Sequence, residues 1–326
     1  MIKAAVLNRN GEKGEIEMVQ KPDLTPGLGE VLIKNTAVGI SRLDSITRKQ
    51  LLKGALSKDE IILGYEGVGT VMEVGKDVSG IKASDKVAYF SPSACACASH
   101  CVVNHINVVA IPDGMREKTV AGIFLSGMLA HALAVRALGV SKKTKVLVHE
   151  VDLAVGRIIA QFIKTKEPSI LIGSVSSDEN INISGISDIC GHVLNYNSET
   201  FISDVMKLTE KEGVNVVYDG VGSEYILKRS MRVLDDFGLL ALYNSSIFAI
   251  PHLPIVDIAK KSLFVTALTV FKYKSVREEI LLAAHEIFSM IGAGTLSVET
   301  SEYHISKLQT ALDSVENSAH SVIVTF

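Results

Sequence analysis

The first hundred residues alternate short apolar runs with Gly, Pro and Asn. Short runs separated by turn-forming residues at close intervals are typical of strands in a sandwich or a barrel. We therefore predict a β-rich, barrel-like domain in this part of the chain. Its strands are predicted at residues 3–7, 30–38, 67–74, 86–90 and 102–111.

From about residue 120 the pattern changes, and longer helical stretches alternate with short apolar runs. This alternation is typical of repeated βαβ units. The short runs are nearly continuous in Val, Ile, Leu and Ala, as in parallel strands that are covered on both faces. Predicted strands cover residues 145–149, 169–173, 192–194, 214–218, 238–242 and 263–269, and predicted helices cover 154–166, 198–212 and 223–234.

Other segments complete this pattern. The 17 uncharged residues 119–135 fall short of the ~20 that a membrane span needs, so we predict a buried helix and no membrane span. Residues 179–190 are rich in Ile, Asn, Ser and Gly and predict an irregular crossover. Helices are predicted at 275–291 and near 306–315, followed by a terminal strand at 321–326 that can return to the first domain.

Composition and charge narrow the classes of function. The chain has 326 residues with 33 Lys+Arg against 36 Asp+Glu, a net charge of −3. Without a basic excess to neutralise phosphates, we expect no nucleic acid as a partner and a small-molecule substrate instead. The content of 47% hydrophobic and 21% charged residues is typical of a globular protein. The N-terminus begins directly with a strand pattern rather than an apolar targeting region, so we expect a cytoplasmic location.

Three motifs, in chain order, indicate a more specific class than a general α/β protein. They are Gly-Ile-Ser-Arg-Leu-Asp at 39–44, Gly-Tyr-Glu at 64–66 with Gly69, Gly75 and Val78, and Tyr-Asp-Gly-Val-Gly at 218–222. Together they resemble the medium-chain dehydrogenase/reductase superfamily. The segments 194–196, 217–219 and 243–246 resemble its quinone oxidoreductase (zeta-crystallin-like) branch. The similarity covers essentially the whole chain.

The resemblance implies an α/β fold in two domains. A GroES-like β-rich domain would comprise residues 1–120 and 271–326, and a Rossmann domain with a doubly wound parallel sheet would comprise residues 121–270. It also implies NADPH bound in the cleft between the domains and a homodimer formed through the edge of the Rossmann sheet. From their apolar sequence we assign that edge to residues 239–243 and 247–250.

The resemblance also implies an activity. Zinc-independent oxidoreductases of this branch transfer a hydride from NAD(P)H to a quinone or an activated alkene. Such chemistry depends mainly on the orientation and desolvation of two stacked partners, so it needs no obvious acid–base pair. Catalytic residues therefore stay unassigned. The resemblance places the cofactor on Val155, Gly156, Gly173, Tyr196, Val221, Asn244 and Ser245.

Some of these polar and aromatic groups have a simpler structural interpretation. Tyr196 is either a cofactor contact or a half-buried aromatic at a strand end. Asp44, Arg48 and Tyr65 are the polar groups that we place near the cleft. Their structural alternatives are a turn carboxylate, a solvated base and a packed aromatic.

Two positions argue against zinc. The zinc-dependent relatives carry Cys in a Gly-Ile-Cys motif and His in a Gly-His-Glu motif, where this chain has Ser41 and Tyr65. Neither side chain is an ordinary zinc ligand, so we expect no metal. Cys95, Cys97 and Cys101 lack the paired two-residue gaps of structural zinc sites. We interpret them as reduced thiols, with a metal site as the alternative.

The phosphate-binding loop departs from the pattern of the branch, Ala-x-x-Gly-x-x-Gly. The corresponding run, residues 150–156, begins with Glu150, has Asp152 and Leu153 at its centre and keeps only the last glycine. A carboxylate about 5 Å from a phosphate charge costs roughly 3 kcal/mol at an effective dielectric of ~20. Two hypotheses stand side by side. Either Asp152 caps the following helix and excludes phosphate, or the loop is distorted and still binds a nucleotide.

Other positions predicted to contact the cofactor also differ from the pattern of the branch. Asn180 stands where the branch has a basic residue for the 2′-phosphate, which puts the selection of NADPH over NADH in question. Ser41 and Leu129 replace the Asn and Thr that the branch has near the nicotinamide. Because these departures concentrate at one site, the alternative function is a non-catalytic pseudoenzyme with impaired dinucleotide binding that acts as a binding or scaffold protein. The oxidoreductase is the leading hypothesis.

Overall fold

A computed structural model describes residues 1–9, 15–57, 59–243, 252–273 and 276–326. The chain divides into two compact units, Met1–Leu125 with Lys274–Phe326, and Ser126–Tyr273. Each unit has a hydrophobic core of its own. The first unit is rich in strands, and the second alternates strands with helices.

The strands and helices follow one another closely along both units. The strands are β1 (Ile2–Asn8), β2 (Ile16–Lys21), β3 (Glu30–Ile40), β4 (Glu60–Ile62), β5 (Glu66–Val74), β6 (Lys86–Phe90), β7 (His100–Asn104), β8 (Val108–Ala110), β9 (Lys145–His149), β10 (Ile170–Val175), β11 (His192–Asn195), β12 (Val214–Asp219), β13 (Leu234–Leu242), β14 (Phe264–Ala267), β15 (Thr300–His304) and β16 (Ser321–Thr325). The helices are α1 (Arg42–Leu52), α2 (Glu117–His131), α3 (Ala154–Lys164), α4 (Asp178–Ile181), α5 (Ile186–Ile189), α6 (Phe201–Leu208), α7 (Glu224–Val233), α8 (Ile255–Lys260), α9 (Val270–Tyr273), α10 (Arg277–Gly292) and α11 (Leu308–Ser314).

The first unit contains a three-stranded sheet in the order β2-β1-β4 and a larger sheet in the order β15-β16-β3-β5-β6-β8, with β7 also paired to β3. Strand β3 alternates buried and exposed side chains along its first half, as a strand with one face on a core does. Residues 322–325 of β16 lie antiparallel to residues 37–40 of β3. The predicted return of the terminal strand to the first domain is therefore confirmed.

The second unit contains one sheet in the order β11-β10-β9-β12-β13-β14, and every neighbouring pair is parallel. Strand β9 lies in the middle, between β10 and β12. The chain therefore moves outward from β9 first to one side and then to the other. In such sheets ligands bind where the carboxyl ends of the two diverging strands leave a crevice.

Some predicted boundaries change for local reasons. The strand predicted at 102–111 is two strands separated by a short 3-10 turn, His105–Asn107, because the Asn104 side chain accepts the N–H of Ile106 and bends the chain. The helix predicted at 198–212 ends at Leu208, since Glu210 and Lys211 adopt left-handed backbone angles. Strand β2 was missed because it is mostly exposed or half-buried and lacks an apolar run.

Helix α2 continues as a π-helix over Ala132–Ala137. By length and composition alone, the segment Glu117–Ala137 could cross a membrane, but 72% of its most apolar window is buried inside the protein. A core helix of a folded protein has these properties, which agrees with the buried helix predicted here.

The sheet edge predicted for a dimer is wrong in its position. Residues 239–242 of β13 pair with β12 on one side and with β14 on the other, so this run lies inside the sheet. Residues 247–250 lie outside the described residues. The last strand in the sheet order is β14, where Phe264 is 61% exposed. The apolar run 239–243 is explained by burial on both faces rather than by an interface.

Candidate functional site

The loop between β9 and α3 forms a tight turn into a helix. Glu150 adopts a left-handed backbone angle, φ 58°, and its carbonyl accepts the N–H of Leu153 at 3.0 Å. Leu153 is the N-cap residue of α3, and its apolar side chain makes no capping hydrogen bond. Because the first N–H groups of a helix have no intrahelical acceptor, they are available to an anion at this end.

Gly156 lets the first turn of α3 lie against the end of β9. A Cβ atom at this position would lie 2.2 Å from the carbonyl oxygen of Glu150 and 2.9 Å from that of His149. Both obstacles are backbone atoms, so the helix itself would have to move. The one glycine that survives in the loop is therefore the one that close packing of helix on strand requires.

The hypothesis that Asp152 caps α3 is wrong. The N-cap position falls one residue later, on Leu153. The Asp152 carboxylate, only 4% exposed, instead accepts a hydrogen bond from Nδ2 of Asn180 at 2.7 Å. Two of the departures from the branch pattern are thus bonded to each other.

The carboxyl ends of β10 and β11 carry a cluster of amide side chains. Nδ2 of Asn180 also lies 3.4 Å from Oγ of Ser176, whose carbonyl accepts Nδ2 of Asn197 at 2.8 Å. Nδ2 of Asn195 donates to the Asp178 carboxylate at 3.0 Å. Asp178 is exposed, so this part of the crevice is polar and carries negative charge.

A buried hydrogen-bonded chain ties the central strands together. His149, at the end of β9, has Nδ1 2.5 Å from Oγ of Ser174 on β10 and Nε2 2.9 Å from Oγ of Ser230 on α7. Ser230 donates to Asp219 at 3.2 Å, and the other oxygen of Asp219 accepts the N–H of Val221 at 2.8 Å. Because the Ser230 hydroxyl donates its hydrogen to Asp219, its oxygen accepts the Nε2–H of His149.

Burial lowers the pKa of His149, which keeps the imidazole neutral. Its Nδ1 is then the acceptor for Ser174. Sequence reasoning missed this chain of contacts, because His149 shows there only as the last residue of an apolar strand. No local signal marks its two serine partners.

The remaining predicted cofactor residues are explained in part by packing. The Tyr196 ring lies edge-on to His149 at 5.6 Å between centroids and belongs to the core. A Cβ atom on Gly173 would lie 2.7 Å from Cγ2 of Val151, so that glycine is required by contacts inside the unit. Val155 lies half-buried in the first turn of α3. Asn244 and Ser245 lie outside the described residues.

The polar motif of the first unit has a structural role. Ser41 and Asp44 form a capping box at the start of α1, and the Asp44 carboxylate also accepts the N–H of Gly64 at 2.7 Å. Burial raises the pKa of Asp44 to about 6. Oη of Tyr65 lies 2.8 Å from Oγ1 of Thr47.

Arg48, on the same helix, forms an ion pair with Asp313 at 2.8 Å. All of these contacts lie within the first unit. The Arg48 side chain is only 19% exposed, so Arg48 is not the solvated base of its structural alternative. Within the described ranges, no group of three or more His, Cys, Asp or Glu is arranged to hold a metal ion.

Comparison with known proteins identifies families and relatives that share this architecture. The alcohol dehydrogenase GroES-like domain model matches residues 27–145, and the zinc-binding dehydrogenase model matches residues 190–321. Quinone oxidoreductase 1 of Escherichia coli is 27% identical over 316 residues, 96% of this chain and 95% of that protein. The 2-haloacrylate reductase of a Burkholderia species is 28% identical over 301 residues, 91% and 90% of the two chains.

A solved structure of Escherichia coli quinone oxidoreductase complexed with NADPH matches with a TM-score of 0.91 at 25% identity, covering 99% of this chain and all of that one. The chain belongs to the medium-chain dehydrogenase/reductase superfamily. Within it, the chain belongs to the quinone oxidoreductase branch, as its motifs predict. The GroES-like and Rossmann folds are likewise confirmed.

Proposed function

We propose that this protein is an NADPH-dependent oxidoreductase that reduces a quinone or an activated alkene. The observation that carries the proposal is the β9–α3 loop, where the apolar N-cap residue Leu153 makes no side-chain capping bond and Gly156 brings the helix against the strand. Two relatives are named for a quinone and for a 2-haloacrylate. Both compounds have an electron-poor conjugated double bond, so one hydride-transfer chemistry covers them.

The bound dinucleotide supplies the hydride, and the protein holds the dinucleotide in position. The N–H groups of Val155 and Gly156 lie in the first turn of α3, where a pyrophosphate is bound in this fold. The His149–Ser230–Asp219 chain fixes the carboxyl ends of β9 and β12 beside that turn. These contacts hold the crevice in one shape before the cofactor arrives, which lowers the entropy cost of binding.

We further propose that the selection of NADPH over NADH is weak. The position that the branch uses for a base is the neutral Asn180, and its amide is bonded to Asp152. The neighbouring Asp178 and Glu179 are exposed acids at the start of α4. These carboxylates would repel a 2′-phosphate placed here, whereas they would not repel the uncharged 2′-hydroxyl of NADH.

Calorimetric titration with NADPH and NADH tests both proposals. The chain has no Trp, so heat is a better signal than protein fluorescence. We expect both dinucleotides to bind, and Asn180→Lys to raise the affinity for NADPH about tenfold without changing that for NADH. Asn182→Lys, two residues further and exposed, is the matched control and leaves both affinities unchanged.

Turnover is then measured as oxidation of NADPH in the presence of benzoquinone or 2-chloroacrylate. We expect oxidation with at least one of these acceptors. Failure of both dinucleotides to bind at millimolar concentration would overturn the proposed function. An equal gain for both dinucleotides with Asn180→Lys would overturn only the proposal about selection.

We also propose a homodimer in which β14 lies at the interface. Strand β14 ends the parallel sheet, and its Phe264 and Val265 side chains are exposed. Among the described residues, β14 pairs with β13 alone. An apolar edge strand of this kind pairs readily with a second copy.

A further inference from the structure

Arg157, in the first turn of α3, has part of its charged group buried and unpaired. Its guanidinium nitrogens Nε and Nη2 are buried, and neither has a hydrogen-bond partner among the described residues. The residue as a whole is half-buried, so part of it stays open to solvent. Because burying a charged group without a partner is unfavourable, an arginine in this state indicates an anionic partner from outside the chain.

Helix geometry directs this side chain towards the start of α3. The Cα–Cβ bonds of a helix tilt towards its N-terminus, so a long side chain covers the turn that precedes its own Cα. The N–H of Arg157 donates to the carbonyl of Leu153 at 2.9 Å, which is the first bond of the helical ladder. The Arg157 side chain therefore runs along the turn whose N–H groups, those of Val155 and Gly156, we assign to the pyrophosphate.

Lys164, seven residues later on the same face of α3, provides a comparison. Its Nζ donates to the carbonyl oxygen of Asp188 on α5, so its charge is satisfied inside the unit. At the other end of the face, the β9–α3 loop holds the buried carboxylates of Glu150 and Asp152, but neither is a partner of Nε or Nη2 of Arg157. Of these two basic residues, only the one beside the loop has buried nitrogens that the described residues leave unpaired.

We propose that Arg157 binds the pyrophosphate of the dinucleotide, an inference that rests on the proposed function. A change of rotamer brings the guanidinium to the phosphate and releases its two nitrogens from burial. The planar group can donate two parallel hydrogen bonds to a phosphate, and its charge offsets the repulsion from Glu150 and Asp152. Because both dinucleotides carry the pyrophosphate, Arg157 contributes equally to the binding of NADPH and of NADH.

Calorimetry with Arg157→Met tests the assignment. Methionine keeps an unbranched apolar stem and a similar helix propensity but removes the charge and the planar group. We expect at least a tenfold loss of affinity for NADPH and a similar loss for NADH, about 1.4 kcal/mol in each case. Arg157→Lys should recover part of this affinity, since it restores the charge without the planar group. Lys164→Met, on the same face, is the matched control and should bind both dinucleotides as the unmodified protein does.

Urea unfolding without any ligand separates binding from a structural role. Removing a buried charge that has no partner relieves its desolvation, so Arg157→Met should be at least as stable as the unmodified protein. A residue that only supports the fold would show the reverse, a loss of stability with no loss of dinucleotide affinity in the folded variant. A variant less stable than the unmodified protein would therefore overturn the inference.

Inorganic pyrophosphate is a probe that does not depend on the nicotinamide. We expect it to raise the thermal unfolding midpoint of the unmodified protein but not that of Arg157→Met. Unchanged dinucleotide affinity in Arg157→Met would also overturn the inference, as would a loss confined to NADPH, which would assign Arg157 to the 2′-phosphate. If neither dinucleotide binds the unmodified protein, the proposed function fails, and the response to pyrophosphate alone then decides whether Arg157 binds this group.

Discussion

Glu66, on β5, should make the stability of the first unit depend on pH. Its side chain is buried, and this burial, together with the nearby Asp44 charge, raises the pKa of its carboxyl from 4.5 to about 8. The Leu125 N–H donates to Oε2 at 2.8 Å and opposes this rise only in part. The folded state therefore binds this proton more tightly than the unfolded state does. The stability that protonated Glu66 contributes is fully present below about pH 4.5 and is lost as the pH rises towards about 8.

The size of this effect follows from the two pKa values. A shift from 4.5 to about 8 corresponds to roughly 5 kcal/mol at ~1.36 kcal/mol per pKa unit. About 3 kcal/mol of this falls between pH 6 and pH 9. Water that enters on ionisation lowers the penalty, so these values are upper bounds. Asp44, whose pKa burial raises to about 6, contributes in the same direction at lower pH.

Urea unfolding of Glu66→Gln across this pH range tests the reasoning. Glutamine keeps the size of the side chain and an acceptor for the Leu125 N–H but cannot ionise. We expect the variant to match the unmodified protein near pH 5 and to be more stable at pH 9. Glu73→Gln, at an exposed position of the same strand, should keep the original pH profile. If Glu66→Gln loses stability between pH 6 and pH 9 as steeply as the unmodified protein does, the assignment to Glu66 is wrong.

Two other predictions concern the second unit. Gly156→Ala places a Cβ atom 2.2 Å from the carbonyl oxygen of Glu150, so calorimetry should show at least a tenfold loss of dinucleotide affinity, about 1.4 kcal/mol. Gly292→Ala meets open space and should bind normally, and equal affinities in the two variants would contradict the packing argument. Light scattering should give twice 35.0 kDa for the unmodified protein, and Phe264→Asp should halve that mass. Met72→Asp, on an exposed position of the first unit, is its control, and a mass of 35.0 kDa for the unmodified protein would refute the dimer.

The sequence by itself determined the architecture and the family. Apolar periodicity depends on neighbours along the chain, so it located β6 and β9 at their observed bounds and identified the sheet of the second unit as parallel. The motifs at 39–44, 64–66 and 218–222 identified the superfamily without any coordinates, and the segments 194–196, 217–219 and 243–246 identified the branch. The loss of loop glycines at 150–156 was also visible, but its structural consequence was not.

Only the tertiary structure decided which side chains meet. Asp152 binds Asn180 rather than the start of α3, and His149 finds its serine partners at positions 25 and 81 residues away in the chain. Local pattern fixes the period and the buried face of an element. The partner of a polar side chain is fixed by where distant strands end and cross, and by the free energy that a buried group loses when it is left unpaired.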